Sequence, residues 1–137
     1  FIGPCVVLEC AAVRGRRVRT ADVLPGFHAV TEVRVLLKTG TYPDPTAFNT
    51  DFAALSSELV DALAARGVRT IGVDTPSVDL FSDKGLEAHT AILRAGIAIL
   101  EGLRLEHVPP GRYELIAPPL RLVGFDASPV RALLRTI

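Results

Sequence analysis

Val68-Arg69-Thr70-Ile71-Gly72-Val73, followed by Asp74-Thr75-Pro76-Ser77, reads as a short buried strand stopped by a turn. Upstream, Asp51 to Arg66 sets Phe52, Leu55, Leu59, Ala62 and Leu63 near helical spacing. That predicts a helix capped by Asn49 or Thr50 and closed by Gly67. Downstream, Lys84 to Ala95 reads as a second helix, capped near Ser82 or Asp83 and ended by Gly96. Ile97 to Leu100 is then another buried strand, running into Glu101. Helices alternating with short buried strands predict α/β layering.

Further out, Cys5 to Ala11 (CVVLECA) and Val33 to Lys38 (VRVLLK) read as two more strands. Cys5 and Cys10 lie an odd number of residues apart, so a strand sends them to opposite faces and they do not pair. Two free, buried or half-exposed thiols suit a reducing cytosol, with a metal role as the alternative. Arg14-Gly15-Arg16-Arg17 reads as a solvated basic turn, and Thr20 as the cap of a short helical turn that Pro25-Gly26 ends. Thr39 to Asn49 (TGTYPDPTAFN) is a long irregular loop, a length often found at site rims and lids. His107 to Gly111 is a turn. Tyr113 to Val123 is extended but interrupted by Pro118-Pro119, which favours an edge or a bulge. Ser128-Pro129 is expected to open a final short helix carrying Arg131 and Arg135.

The 137 residues amount to one domain, and 49% hydrophobic content with 22% charged residues excludes a disordered chain. Apolar runs are too short for a membrane span or a signal peptide. Fifteen basic residues balance fifteen acidic ones, leaving no net field to draw nucleic acid or an anionic membrane. Methionine is absent and the chain opens at Phe1, directly ahead of a strand. The expectation is therefore a portion of a longer protein.

No phosphate-cradling loop, dinucleotide fingerprint, HExxH, GxSxG or CxxC motif occurs. Chemistry must rest on few groups. In the strand ending at Leu100, Ile97, Ile99 and Glu101 share a face, so a core-facing Glu101 would need a cation, a metal or hydrogen-bond donors. The alternative is that the strand stops at Leu100 and Glu101 meets water. His89 has Leu86, Ile92 and Leu93 as its helical neighbours. It reads either as a hydrogen-bonded boundary residue or, paired with Glu101 across one helix-to-strand junction, as a metal ligand. Imidazole and carboxylate suit zinc, manganese or iron, with further ligands needed from elsewhere. Asp74, at the end of a buried strand, reads as a turn cap or a ligand-site residue. Asp126 reads as a helix cap or a site residue, and His28 and His107 as loop residues.

Four segments resemble the C-terminal part of the bacterial kynurenine formamidases, the arylformamidases of the metal-dependent cyclase family. They are GVDTPSVD (Gly72 to Asp79), HTAILRAGIAILEGL (His89 to Leu103), VPPGRYELIAPPLRL (Val108 to Leu122) and DASPVRALL (Asp126 to Leu134). FIGPCVVLEC at the start is similar to that family's first strand after its metal motif. The resemblance spans nearly the whole chain and is weakest between Arg14 and Thr50. It implies a swivelling β/β/α fold, a mixed sheet with flanking helices, with residues 1–137 forming a single unit, the C-terminal portion of a larger cyclase domain. It also implies hydrolysis of N-formyl-L-kynurenine to L-kynurenine and formate at a two-zinc centre. His89 and Glu101 match the family's downstream zinc ligands.

A cytoplasmic homodimer acting on a small aryl formamide, with sites near the subunit interface, completes what the family implies. The family's HxGTHxDxPxH-type stretch, which supplies the other ligands and a proton-transferring histidine, does not occur in this sequence. No residue here is therefore assigned a catalytic proton transfer, and these residues alone are expected to be inactive. Two rival expectations are another amide or lactam hydrolase of the same family, and a non-catalytic binding or oligomerisation module without the metal motif.

Overall fold

In the computed structural model, which describes residues 1–23 and 26–137, β1 (Ile2–Glu9) lies inside a six-stranded sheet. The order is β6 (Ala98–Leu100), β5 (Thr70–Val73), β3 (Arg34–Lys38), β1, β7 (Gly111–Ile116), β8 (Leu133–Thr136). The first four strands are mutually parallel, while β7 runs antiparallel to both β1 and β8. A small parallel pair, β2 (Arg17–Val18) with β4 (Ala54–Leu55), sits apart. Two helices, α1 (Ser57–Ala65) and α2 (Glu87–Ala95), complete the mixed α/β architecture expected from the alternating pattern.

Alternation along the strands builds two cores. Leu8, Val35, Leu37, Ile71 and Val73 face Leu59, Val60 and Leu63 of α1 and Ala88, Ala91 and Ile92 of α2. Cys5, Val7 and Leu36 face the other way, against Leu100, Leu103, Leu105 and Leu115. Cys5 and Cys10 thus fall in different cores, both free, as the odd spacing predicts. Burial pushes the thiols up, Cys5 to about 11 and Cys10 to about 12.

Gly72 is required by the second core. A Cβ there would stand 2.5 Å from Leu36 Cδ2 and 2.7 Å from Leu103 Cδ1. Leu36 is fully buried, so its side chain has little room to yield. Gly72→Ala is expected to cost about 1–3 kcal/mol of stability, read as a lower urea midpoint at unchanged slope. An unshifted midpoint would mean that the two leucines repack.

Several expected boundaries move. The first helix starts at Ser57, not Asp51, because Ser56 supplies the cap: its side chain accepts from the Leu59 backbone N–H. Ala54 and Leu55 instead pair with Arg17 and Val18, and Phe52 is buried ahead of the helix. The second helix starts at Glu87, not Lys84, and its cap position is Leu86 rather than Ser82 or Asp83, although Asp83 accepts from the Glu87 backbone N–H. Thr20 begins a 3₁₀ turn (Thr20–Asp22) whose cap position is Arg19, with Asp22 accepting from the Arg19 backbone. Pro25, expected to end that turn, lies outside the described residues.

The extended run from Tyr113 stops at Ile116, and β7 is an interior strand rather than an edge because β8 covers it. The expected last helix at Ser128-Pro129 does not form. The chain stays irregular until β8, where Leu134 packs towards the second core and Arg135 pairs with Glu114 at the surface. Alternation of period two overrides the local helix-start signal. Among the described residues, no helix is long and apolar enough to cross a membrane.

Candidate functional site

Parallel β5 and β6 end at the same edge of the sheet, where open α/β folds place their ligands. Their following loops run side by side: Gly102 N–H donates to Thr75 O and Leu103 N–H to Val73 O. This brings Glu101 beside the loop between β5 and α2, where its Oε1 accepts from Val78 N–H at 2.9 Å. The strand does stop at Leu100, yet Glu101 is not simply solvated: its side chain is 34% exposed and turned towards His89.

His89 stands in the first turn of α2. Its Nδ1 lies 2.8 Å from Asp79 Oδ2, and its Nε2 lies 3.7 Å from Glu101 Oε1. The first is a hydrogen bond; the second is too long for one. Two donors bound to one metal at about 2.1 Å each stand roughly 3.4 Å apart. The pair's spacing therefore suits a shared divalent metal, with His89 offering a ring nitrogen that, among the described residues, makes no hydrogen bond. Among the described residues, no group of three or more His, Cys, Asp or Glu converges on one point to hold a metal ion.

Sequence reasoning missed Asp79 and misplaced Arg17. Asp79 is 1% exposed and accepts from Ala88 N–H at 2.8 Å, His89 N–H at 3.0 Å and Arg17 Nη1 at 2.9 Å, besides the imidazole. Burial pushes its carboxyl up, but these donors outweigh that and hold it at about 2. Arg17 leaves the basic turn and is half-buried, pairing with Asp79, Asp83 and Glu87 and donating to Leu55 O. Its neighbours Arg14 and Arg16 do stay at the surface, paired with Asp51 and Asp22. Arg17 opens the small β2–β4 pair, and its side chain reaches the loop before α2, a long-range placement with no local signal in the sequence.

Other candidates separate. Asp74 braces a loop rather than its own turn: it accepts from Thr39 N–H and Oγ1 and from Gly40 N–H, all within 3.0 Å. That anchors the start of the Thr39 to Asn49 loop, whose Tyr42 and Phe48 contact Phe52 edge-on, with Phe48 also against Phe81. His107 is an exposed turn residue, whereas His28, also exposed, sits in a short 3₁₀ helix (Phe27–Ala29) rather than a loop. Asp126 is exposed and caps no helix, but it lines the same cavity of about 630 Å³ as His89 and Glu101. Leu120, Leu122 and Phe125 form apolar wall there.

The family model described as "Putative cyclase" matches residues 1–80. The chain belongs to the cyclase family. This cyclase-family chain is 47% identical, over all 137 residues, to the kynurenine formamidase of Sphingopyxis alaskensis, of which it covers 65%. A solved "potential metal-dependent hydrolase with cyclase activity" superposes with a TM-score of 0.83 at 34% identity, over 97% of this chain and 64% of that one. An isatin hydrolase bound to the product analogue thioisatinate shares the fold at a TM-score of 0.77 and 23% identity, over 97% and 59% of the two chains. The cyclase-family chain thus spans a little under two thirds of the relatives it matches. His89 and Glu101 lie beyond the segment matched by the family model but within the full-length match to the formamidase.

Proposed function

We propose that the full-length protein hydrolyses N-formyl-L-kynurenine to L-kynurenine and formate, with His89 Nε2 and Glu101 Oε1 among the ligands of a zinc centre. The observation that carries this reading is the 47% identity, across every residue of the chain, to a kynurenine formamidase. The opposed His89 and Glu101 side chains, at one end of the parallel strands, support the metal.

When bound, the metal supplies a water activated at neutral pH and polarises the formyl carbonyl oxygen. The chain's own residues orient and exclude. Asp79 holds the imidazole ring, and Val78 N–H holds the Glu101 carboxylate. The apolar wall of Leu120, Leu122 and Phe125 offers an aryl ring a surface from which water is displaced. Hydrolysis adds the water oxygen to the formyl carbon and breaks the carbon–nitrogen bond, and the departing aniline nitrogen takes a proton. A cytoplasmic homodimer belongs to the same reading. Its supports are the two free thiols and the exposed apolar residues Leu120, Val123 and Phe125, which suit a subunit contact.

The test is a substrate panel on the full-length protein, with and without chelator. N-formyl-L-kynurenine should be turned over with a higher kcat/KM than a cyclic amide such as isatin. Activity should vanish on chelation and return with zinc. A preference for the cyclic amide would move the protein to the lactam hydrolases, and chelator-resistant turnover would overturn the metal centre.

A further inference from the structure

We propose that Asp79 is a positioning residue: it fixes His89 in the tautomer with its proton on Nδ1, so that the Nε2 lone pair faces Glu101, and Arg17 fixes Asp79 in turn. The consequence for metal binding rests on the ligand reading above; the tautomer itself does not.

The two oxygens of Asp79 are sorted by their partners. Oδ1 accepts from Arg17 Nη1 and Ala88 N–H, at 2.9 and 2.8 Å. Oδ2 accepts from the His89 backbone N–H and lies 2.8 Å from its Nδ1. A carboxylate is acceptor-only, so the ring must present Nδ1–H to it. Neutral imidazole carries one ring proton, and Nε2 is then bare.

A simple helix cap would need only the two backbone bonds. Here the same buried group also engages the ring and the guanidinium of Arg17, which comes from the distant strand β2. Arg17 is itself held from four sides, by Asp79, Asp83, Glu87 and the Leu55 carbonyl. The backbone is shaped around the arrangement: Leu86, just before α2, takes a left-handed conformation with φ of 50°, a strained choice for a branched side chain. That turn delivers the Ala88 and His89 N–H groups to Asp79 together. A carboxylate behind a ligating histidine sets both the ring orientation and its donor strength.

The test uses full-length protein labelled with ¹⁵N at histidine, stripped of metal, and long-range ¹H–¹⁵N correlation of the His89 ring. The wild type should show a protonated Nδ1 and a bare Nε2. In Asp79→Asn the amide oxygen stays towards Arg17, because the flipped amide would aim its NH₂ at two donors, the guanidinium and Ala88 N–H, instead of one, the His89 backbone N–H. The NH₂ then faces Nδ1, and the ring proton should move to Nε2. Zinc ions titrated against a chromophoric chelator should bind that variant about 10–100-fold more weakly, the usual penalty for losing such a partner. A wild-type ring protonated on Nε2 overturns the proposal, whether or not the variant folds. So does a folded variant with unchanged tautomer and zinc affinity. The ligand reading fails separately, if His89→Ala keeps wild-type zinc affinity while the tautomer result stands.

Discussion

On the proposed reading, replacing His89 with alanine in the full-length protein should lower kcat/KM for N-formyl-L-kynurenine by roughly a thousandfold, about 4 kcal/mol of transition-state stabilisation, and reduce bound zinc. Glu101→Gln gives a loss of similar size for a different reason. The amide keeps the shape of the side chain and can still accept from Val78 N–H, so the loop it holds stays in place. What it lacks is the negative charge that a divalent cation needs. Stability separates the ligand role from a structural one. Glu101 is about a third exposed and retains its backbone partner as glutamine, so thermal unfolding should move little. His89→Ala removes one hydrogen bond to the ionised Asp79, worth about 1.5–3 kcal/mol. Neither change accounts for a thousandfold loss through unfolding. Full activity and full zinc content in both variants would remove the ligand assignment.

The local periodicities were legible because each core strand is short and bounded by turn residues. Ile71 and Val73 could be placed on one face and Gly72 on the other from the sequence alone, and the sheet uses them so. Boundaries failed where a tertiary partner competed with a local signal. Phe52 and Leu55 continue the helical stripe of α1, yet Leu55 pairs with Val18, so the helix waits for Ser56. Ser128-Pro129 carries a helix start, but β7 offered an open edge and the following residues alternate in period two.

The site was legible only as the pair His89 and Glu101, since helix and strand spacing place both at one junction. Arg17 and Asp79 were not, because their contact joins residues far apart in the chain. An arginine in a basic turn and an aspartate in a Ser/Asp-rich loop are ordinary surface residues until the long-range fold brings them together.

Asp79→Ala should destabilise the full-length protein by about 3–5 kcal/mol, the largest loss of stability expected of any single substitution at the site. The carboxylate is almost fully buried, and its removal leaves the Arg17 guanidinium and the Ala88 and His89 N–H groups short of their acceptor. Asp83 and Glu87 still pair with Arg17, which keeps the cost within that range. The effect carries a pH signature. The folded carboxyl, at about 2, lies below the roughly 3.9 of an unfolded chain. Between those values the unfolded state binds more protons. The contribution is therefore complete above about pH 5 and is lost as the pH falls towards 2, about 2.5 kcal/mol in all. Urea unfolding of wild type and Asp79→Ala should show a wide gap at pH 6 that narrows steadily below pH 4. A gap of the same size at pH 6 and pH 3 would mean that the shape of the side chain, rather than its charge, anchors α2 and the ring of His89.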